Sequence, residues 1–194
     1  MIPRADTEIL VEAVIEISKI KKHPLKILEI GTGSGCIAVS IAYYLKNTFI
    51  VASDISQKAL EIARTNAIKH GVCKRVEFIK SDLFDNLKIH GFDFIISNPP
   101  YIMRKEIAYL QPEVKDYEPR TALDGGVDGL DFYRGISQKA PLYLKAGGIL
   151  AFEVGINQAA EVSGLLGRGF SEIKIQKDLA GIDRVVMGKL KRAI

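Results

Sequence analysis

Residues 92–101 read Phe92-Asp93-Phe94-Ile95-Ile96-Ser97-Asn98-Pro99-Pro100-Tyr101. The apolar first half of this stretch predicts a buried strand, and the two prolines end it because neither can donate to a sheet ladder. Proline also restricts the preceding residue to extended geometry, so Asn98 should lie at the strand end with its side-chain amide directed out of the sheet. Tyr101 would place an aromatic ring beside that amide. The stretch therefore predicts either a proline-rich turn or a rigid binding site made of an amide and a ring.

Strands alternate with helices along the rest of the chain, which predicts an α/β fold with a doubly wound, mostly parallel sheet of seven strands. The predicted strands are 26–30, 49–53, 76–79, 92–97, 148–154, 171–176 and 184–188, and the predicted helices are 6–21, 36–46, 57–70, 130–144 and 157–167. The last strand should be antiparallel, because only a few residues join it to the strand before it. Residues 102–130 are expected to form a long connection. Ligands bind such sheets at the carboxyl ends of the strands.

The composition is that of one soluble domain over residues 1–194, with 47% hydrophobic and 26% charged residues. A net charge of +4 permits a nucleic-acid partner but does not require one, and none is expected to bind directly. Cys36 and Cys73 form no metal-binding or disulfide pattern, and the three histidines are isolated. No apolar run is long enough to span a bilayer. We therefore expect a cytoplasmic protein with no metal site and no membrane contact.

A glycine-rich loop, Gly31-Thr32-Gly33-Ser34-Gly35, follows the first predicted strand and precedes a predicted helix. Glycines let a ligand approach the backbone closely, and the start of the helix offers free N–H groups. Cys36 occupies the position of the third glycine in the dinucleotide-binding pattern Gly-x-Gly-x-x-Gly. The loop therefore suits a ligand without a pyrophosphate better than it suits a nicotinamide cofactor.

Two aspartates end the next two predicted strands. Asp54 could accept hydrogen bonds from both hydroxyls of a ribose, although it could also cap the following helix beside Ser56. Asp82 could face the edge of an adenine with Leu83 or Phe84 packed on the base, although a turn aspartate would look the same. A nucleoside without required phosphates makes S-adenosylmethionine the expected cofactor.

Several segments together resemble the HemK/PrmC family of protein-(glutamine-N5) methyltransferases. They are 3–8, 30–38, 54–56, 97–102, 117–123, 129–133 and 178–186. The resemblance implies a class I, Rossmann-like methyltransferase that modifies a glutamine in the Gly-Gly-Gln motif of class I peptide-chain release factors. Family members usually carry a helical N-terminal domain before the segment that opens this sequence. Residues 1–194 are therefore expected to be the catalytic domain, with the helical domain absent.

The chemistry of a carboxamide suggests a role for each residue of the tetrapeptide. Asn98 would accept one amide N–H through its side-chain oxygen, and the Pro99 carbonyl would accept the other. Pro100 is expected to complete the substrate-binding segment and keep it stiff, and Tyr101 would pack on the planar amide. The family resemblance implies that Asn98 also touches the methionine end of the cofactor, which Gly31, Gly33 and Gly35 would line. Positioning of this kind can supply several kcal/mol of catalysis without a general base. Arg4, Thr7 and Glu8 could border the site or cap the first helix.

Three alternatives use the same residues differently. An amino-methyltransferase acting on a base of DNA or rRNA would share the tetrapeptide and would have to extract the base from its stack. A nicotinamide-dependent oxidoreductase would need the missing third glycine. A non-enzymatic RNA-binding module would need more basic charge and more surface aromatics than this sequence carries.

Overall fold

The computed structural model describes residues 5–21 and 23–191. Within those residues the strands are β1 Leu25–Ile30, β2 Thr48–Asp54, β3 Val76–Lys80, β4 Phe92–Ser97, β5 Leu144–Glu153, β6 Phe170–Lys177 and β7 Asp183–Leu190. The α-helices are α1 Ala5–Ser18, α2 Cys36–Tyr44, α3 Gln57–Lys69, α4 Pro112–Lys115, α5 Asp131–Tyr143 and α6 Ala159–Leu166. Short 3-10 helices lie at Cys73–Arg75, Ile107–Tyr109 and Arg120–Ala122.

The seven strands form one sheet in the order β3-β2-β1-β4-β5-β7-β6. All neighbours are parallel except β7, which is antiparallel to both β5 and β6, as predicted. The chain runs outward from β1 to β2 and β3, and then returns to place β4 on the other side of β1. The carboxyl ends of β1 and β4 therefore form the point where the winding direction reverses, and such a point leaves a crevice for ligands.

Both faces of the sheet are buried because successive side chains of each strand point to opposite sides. On one face Ile27 and Phe94 join a core that α1, α2 and α3 cover. On the other face Leu28 and Ile95 join a core that α5 and α6 cover. These four side chains have no exposed surface. The two helical layers hold β1 and β4 in place at the centre of the sheet.

Of the five predicted helices, only α2 and α3 begin at the predicted residue, and the other boundaries differ by one to three residues. Asp6, the first residue of the predicted helix, lies inside α1, and α1 ends at Ser18, where the hydroxyl donates to the carbonyl of Val14 at 2.6 Å. Ile20, within the predicted helix 6–21, lies beyond the end of α1 and is 77% exposed. Helix α6 begins after Asn157, because a φ of 65° takes that residue out of helical geometry. By contrast, Ser56 caps α3 as predicted, accepting from the Ala59 N–H at 3.3 Å.

The connection between β4 and α5 is folded along its length. Ile102 and Asp124 form an isolated parallel bridge across it, and Arg104 pairs with the Asp124 carboxylate at 3.0 Å. Among the described residues, no helix is long and apolar enough to cross a bilayer, and no three potential metal ligands cluster.

Candidate active site

A pocket lies at the reversal point of the sheet, between the segments that follow β1 and β4. The glycine loop contributes Gly31, Thr32 and Ser34, and the tetrapeptide contributes Asn98, Pro99 and Tyr101. The rest of the lining comes from β1, α1, α2 and the connection after β4, as Glu29, Thr7, Cys36, Ile37, Ile102, Glu118, Ala122 and Leu123. The structure thus brings the two predicted half-sites, more than sixty residues apart in the chain, to one opening.

The glycine loop has a left-handed backbone at three positions. Gly31 and Gly33 have φ values of 73° and 56°, and a Cβ added at either would meet nothing within 4 Å. Their backbone is therefore open to a ligand. Gly35 differs, because a Cβ there would lie 2.8 Å from the Cβ of Ala63 in α3. Close packing of the loop against α3 accounts for this third glycine.

Asp54 ties the loop to the end of β2. One carboxylate oxygen accepts the Gly33 N–H at 2.8 Å, and the other accepts the Ser56 N–H at 2.8 Å. The residue therefore supports both the loop and the start of α3, and each oxygen keeps a lone pair for another donor. Asp82 is exposed, and Leu83 is half-buried with a φ of 45°. Asp54 ends β2, and Asp82 and Leu83 follow β3 at the same sheet edge, but none of the three lines the pocket.

Glu29 in β1 is a site residue that the sequence interpretation missed. Its side chain is 1% exposed, and one carboxyl oxygen accepts from the Thr32 hydroxyl at 2.7 Å and from the Ala38 N–H at 3.0 Å. The other oxygen is buried and has no hydrogen-bond partner among the described residues. Burial raises the pKa of Glu29 from 4.5 to about 8, against the lowering effect of those hydrogen bonds. The sequence feature that could have identified Glu29 is an acidic residue inside an otherwise apolar strand.

The unpartnered oxygen of Glu29 makes the pocket suitable for a cationic ligand. A buried polar atom without a partner is costly, and a bound ammonium would both satisfy that oxygen and favour the ionised carboxylate. S-adenosylmethionine carries an ammonium on its amino-acid end. The residues present therefore fit that cofactor.

Three glycines pack closely around Tyr101. Two of them, Gly125 and Gly129, lie in the connection that the sequence predicted only as a loop. An added Cβ at Gly125 would lie 2.8 Å from the Tyr101 Cα, and one at Gly155 would lie 2.8 Å from its ring. Gly129 packs equally closely against the Tyr101 carbonyl. The Gln158 side-chain amide donates to that carbonyl at 3.0 Å. The glycine-rich segment thus fits around the tetrapeptide and keeps its backbone in place.

The other predicted site residues lie as follows. Pro99 is buried, and Pro100 is half-buried with its carbonyl against Gly125 instead of in the pocket. Thr7 is buried and lines the pocket, whereas Glu8 is exposed and does not. Arg4 lies outside the described residues.

Comparison with known proteins places this geometry among methyltransferases. A family model described as methyltransferase small domain matches residues 5–111. A release factor glutamine methyltransferase of Geobacter sulfurreducens is 48% identical over 98% of this chain and 66% of the relative. One of Clostridium botulinum is 44% identical over 97% of this chain and 68% of the relative. The chain spans 66% of the Geobacter relative, 53% of one from Fusobacterium nucleatum and 39% of a bifunctional methyltransferase of Rickettsia prowazekii, so it matches only part of each.

Solved structures give the same result for the fold. A release-factor-specific protein-(glutamine-N5) methyltransferase from Alicyclobacillus acidocaldarius is 33% identical, with a TM-score of 0.59 over 98% of this chain and 94% of that chain. A SAM-dependent O-methyltransferase of Thermotoga maritima has a TM-score of 0.71 at 14% identity, over 100% of this chain and 68% of that chain, and shows the fold alone. The fold is that of class I S-adenosylmethionine-dependent methyltransferases.

Proposed function

The chain belongs to the family of release factor glutamine methyltransferases, and we propose that it transfers a methyl group from S-adenosylmethionine to a glutamine side-chain nitrogen in class I peptide-chain release factors. One observation carries the proposal. The open glycine loop after β1 and the Asn98–Tyr101 tetrapeptide after β4 line the same pocket. A methyl donor held by the first and an amide held by the second would be adjacent.

The cofactor half of the proposed site lies on β1 and β2. The open backbone at Gly31 and Gly33 would let the donor approach closely, with Thr32, Ser34 and Gly35 completing the loop. Glu29 would accept from the ammonium of the donor's amino-acid end, and the free lone pairs of Asp54 would accept from ribose hydroxyls. Asp82 and Leu83 would border the adenine. The bound cofactor would supply an electrophilic methyl group on a positively charged sulfur.

The acceptor half lies on the tetrapeptide. The Asn98 side-chain oxygen and the Pro99 carbonyl would each accept one N–H of the glutamine amide. Those two bonds would turn the nitrogen lone pair toward the methyl group, and the Tyr101 ring would pack on the amide plane. The nitrogen's extra proton would leave to water after the transfer, so the chain needs no general base. Holding two reactants in this geometry lowers the barrier by avoiding the entropy cost of bringing them together.

The proposal is tested with S-adenosylmethionine carrying a labelled methyl group. The protein is incubated separately with a class I release factor, with the same factor carrying Gln→Ala in its Gly-Gly-Gln motif, and with tRNA, rRNA and DNA. Label on the intact release factor alone supports the proposal. Label on a nucleic acid, or equal label on the Gln→Ala factor, overturns it.

A further inference from the structure

Asn98 is connected to Glu153 of β5 by a chain of two hydrogen bonds that passes through Thr7 of α1. The Thr7 hydroxyl in α1 donates to a Glu153 carboxyl oxygen at the end of β5, at 2.7 Å. The Asn98 side-chain nitrogen lies 3.4 Å from the same Thr7 oxygen and donates to it. Thr7 is 91 residues from Asn98 and 146 from Glu153 in the chain, so three distant segments meet at this point.

The Thr7 hydroxyl has one proton, and this settles the orientation of the Asn98 amide. Because the Thr7 hydroxyl donates its proton in the hydrogen bond to Glu153, the Thr7 oxygen can only accept a hydrogen bond from its other neighbour, Asn98. Asn98 must therefore present its NH2 group to Thr7, and its oxygen is left facing away. Among the described residues, that oxygen has no donor.

The direction of the amide decides whether it can bind a glutamine side chain. A glutamine NH2 needs acceptors, and a reversed Asn98 would present its own NH2 to it, donor against donor. We propose that Thr7 and Glu153 are positioning residues that hold the Asn98 amide with its oxygen toward the substrate nitrogen. This inference rests on the proposed function. It adds to that function the reason why Asn98 presents its oxygen, and not its NH2 group, to the substrate amide.

Ion pairs keep Thr7 in place for this role. Arg184 at the start of β7 pairs with Asp6 at 3.2 Å and with Asp178 at 2.9 Å. The Arg184 and Asp178 side chains are each 13% exposed, so water screens their interaction only partly. The neighbour of Thr7 is thereby bound to the β6–β7 turn. The first turn of α1 cannot shift along the sheet edge without breaking this pair.

The test compares Thr7→Val, which removes the hydroxyl at nearly constant shape, with Thr7→Ser, which keeps it. Thr48→Val is the matched control, because Thr48 is also 7% exposed and also donates one hydrogen bond at 2.7 Å. Thr48 lies at the amino-terminal end of β2, whereas the pocket lies at the carboxyl ends of the strands. We expect Thr7→Val to lower kcat about 10- to 100-fold and to leave cofactor affinity within about threefold. Thr7→Ser and Thr48→Val should stay within about threefold of wild type in both quantities.

A second readout does not depend on turnover. In protein labelled with 15N-asparagine, the Asn98 NH2 signals are assigned by their loss in Asn98→Ala. They should move in Thr7→Val and stay in Thr48→Val. If Thr7→Val does not fold, Glu153→Gln takes its place. A glutamine amide can either donate to the Thr7 hydroxyl or accept from it, so it no longer fixes the direction of that hydrogen bond.

The outcomes separate the two proposals. A kcat within twofold of wild type, or unmoved Asn98 signals, overturns the positioning role. If the wild-type protein methylates no release factor, the proposed function fails, and the Asn98 signals alone then decide whether the Thr7 hydroxyl contacts the Asn98 NH2 group.

Discussion

Replacing Glu29 by glutamine should change how the stability of the fold depends on pH. The folded protein holds a proton on this buried carboxyl up to about pH 8, whereas the unfolded chain releases it near pH 4.5. The folded state therefore binds more protons than the unfolded state between those values, and the free energy of unfolding falls as the pH rises. Glutamine keeps the shape of the side chain but cannot titrate.

The magnitude follows from the two pKa values. The protonated Glu29 carboxyl makes its full contribution to the free energy of unfolding below pH 4.5. That contribution is lost as the pH rises through about 8. Between pH 5 and pH 8 this difference in proton binding lowers the wild-type free energy of unfolding by about 3.5 kcal/mol. This is a large share of the ~5–15 kcal/mol that stabilises a typical domain. Glu29→Gln should not show this loss.

Urea denaturation at pH 5, 6, 7 and 8 measures the effect, as the difference between wild type and Glu29→Gln at each pH. The difference isolates Glu29, because all other titrating groups are common to both proteins. Glu77→Gln, which changes an exposed glutamate in β3, is the control and should follow wild type. Parallel pH profiles for wild type and Glu29→Gln would show that the carboxyl ionises normally inside the fold, and would refute the reasoning.

Three further substitutions test other parts of the site. Asn98→Ala should lower methyl transfer by about 100-fold or more while cofactor affinity, measured by calorimetry, changes only a few-fold; near wild-type transfer would remove Asn98 from the proposed role. Asp54→Ala should weaken cofactor binding by about 10-fold or more, since a charged acceptor is lost, and an unchanged dissociation constant would contradict its proposed contact. Gly35→Ala should destabilise the fold by about 2–4 kcal/mol, because a strained φ of 80° is combined with a clash at Ala63. Gly71→Ala is its control, because Gly71 has a φ of 68° in open space and should lose only about 1–2 kcal/mol in the same denaturation experiment.

The sheet and both half-sites could be predicted from local patterns. The apolar run ending at Ser97 had to stop at the prolines, and the glycine loop had to follow the first strand. Alternation of strands and helices then predicted that both segments end at the same sheet edge. The structure confirms this, because Ile30 at the end of β1 is in register with Ser97 at the end of β4.

The remaining contacts of the site depend on packing between distant segments, which local patterns do not contain. Thr7 and Glu153 meet only because α1 lies against β5, and no spacing in the sequence indicates this. Gln158 and the glycines around Tyr101 likewise serve a contact that exists only in the folded chain. Glu29 was different, because an acidic side chain in a strand buried on both faces could have been singled out from the sequence.

The place of β7 in the sheet has a consequence for how the protein is made. β7 follows β6 in the chain, yet it lies between β5 and β6, so β6 leaves the ribosome before the strand it pairs with. Helix α1 precedes all seven strands in the chain, but its Asp6 pairs with Arg184, at the start of β7. A nascent chain that stops short of β7 therefore has β5 and β6 without their shared partner and α1 without its anchor. Arg184 can anchor the first turn of α1 only after translation has reached β7, so β7 completes both the pairing of β5 and β6 and the anchoring of the helix that carries Thr7.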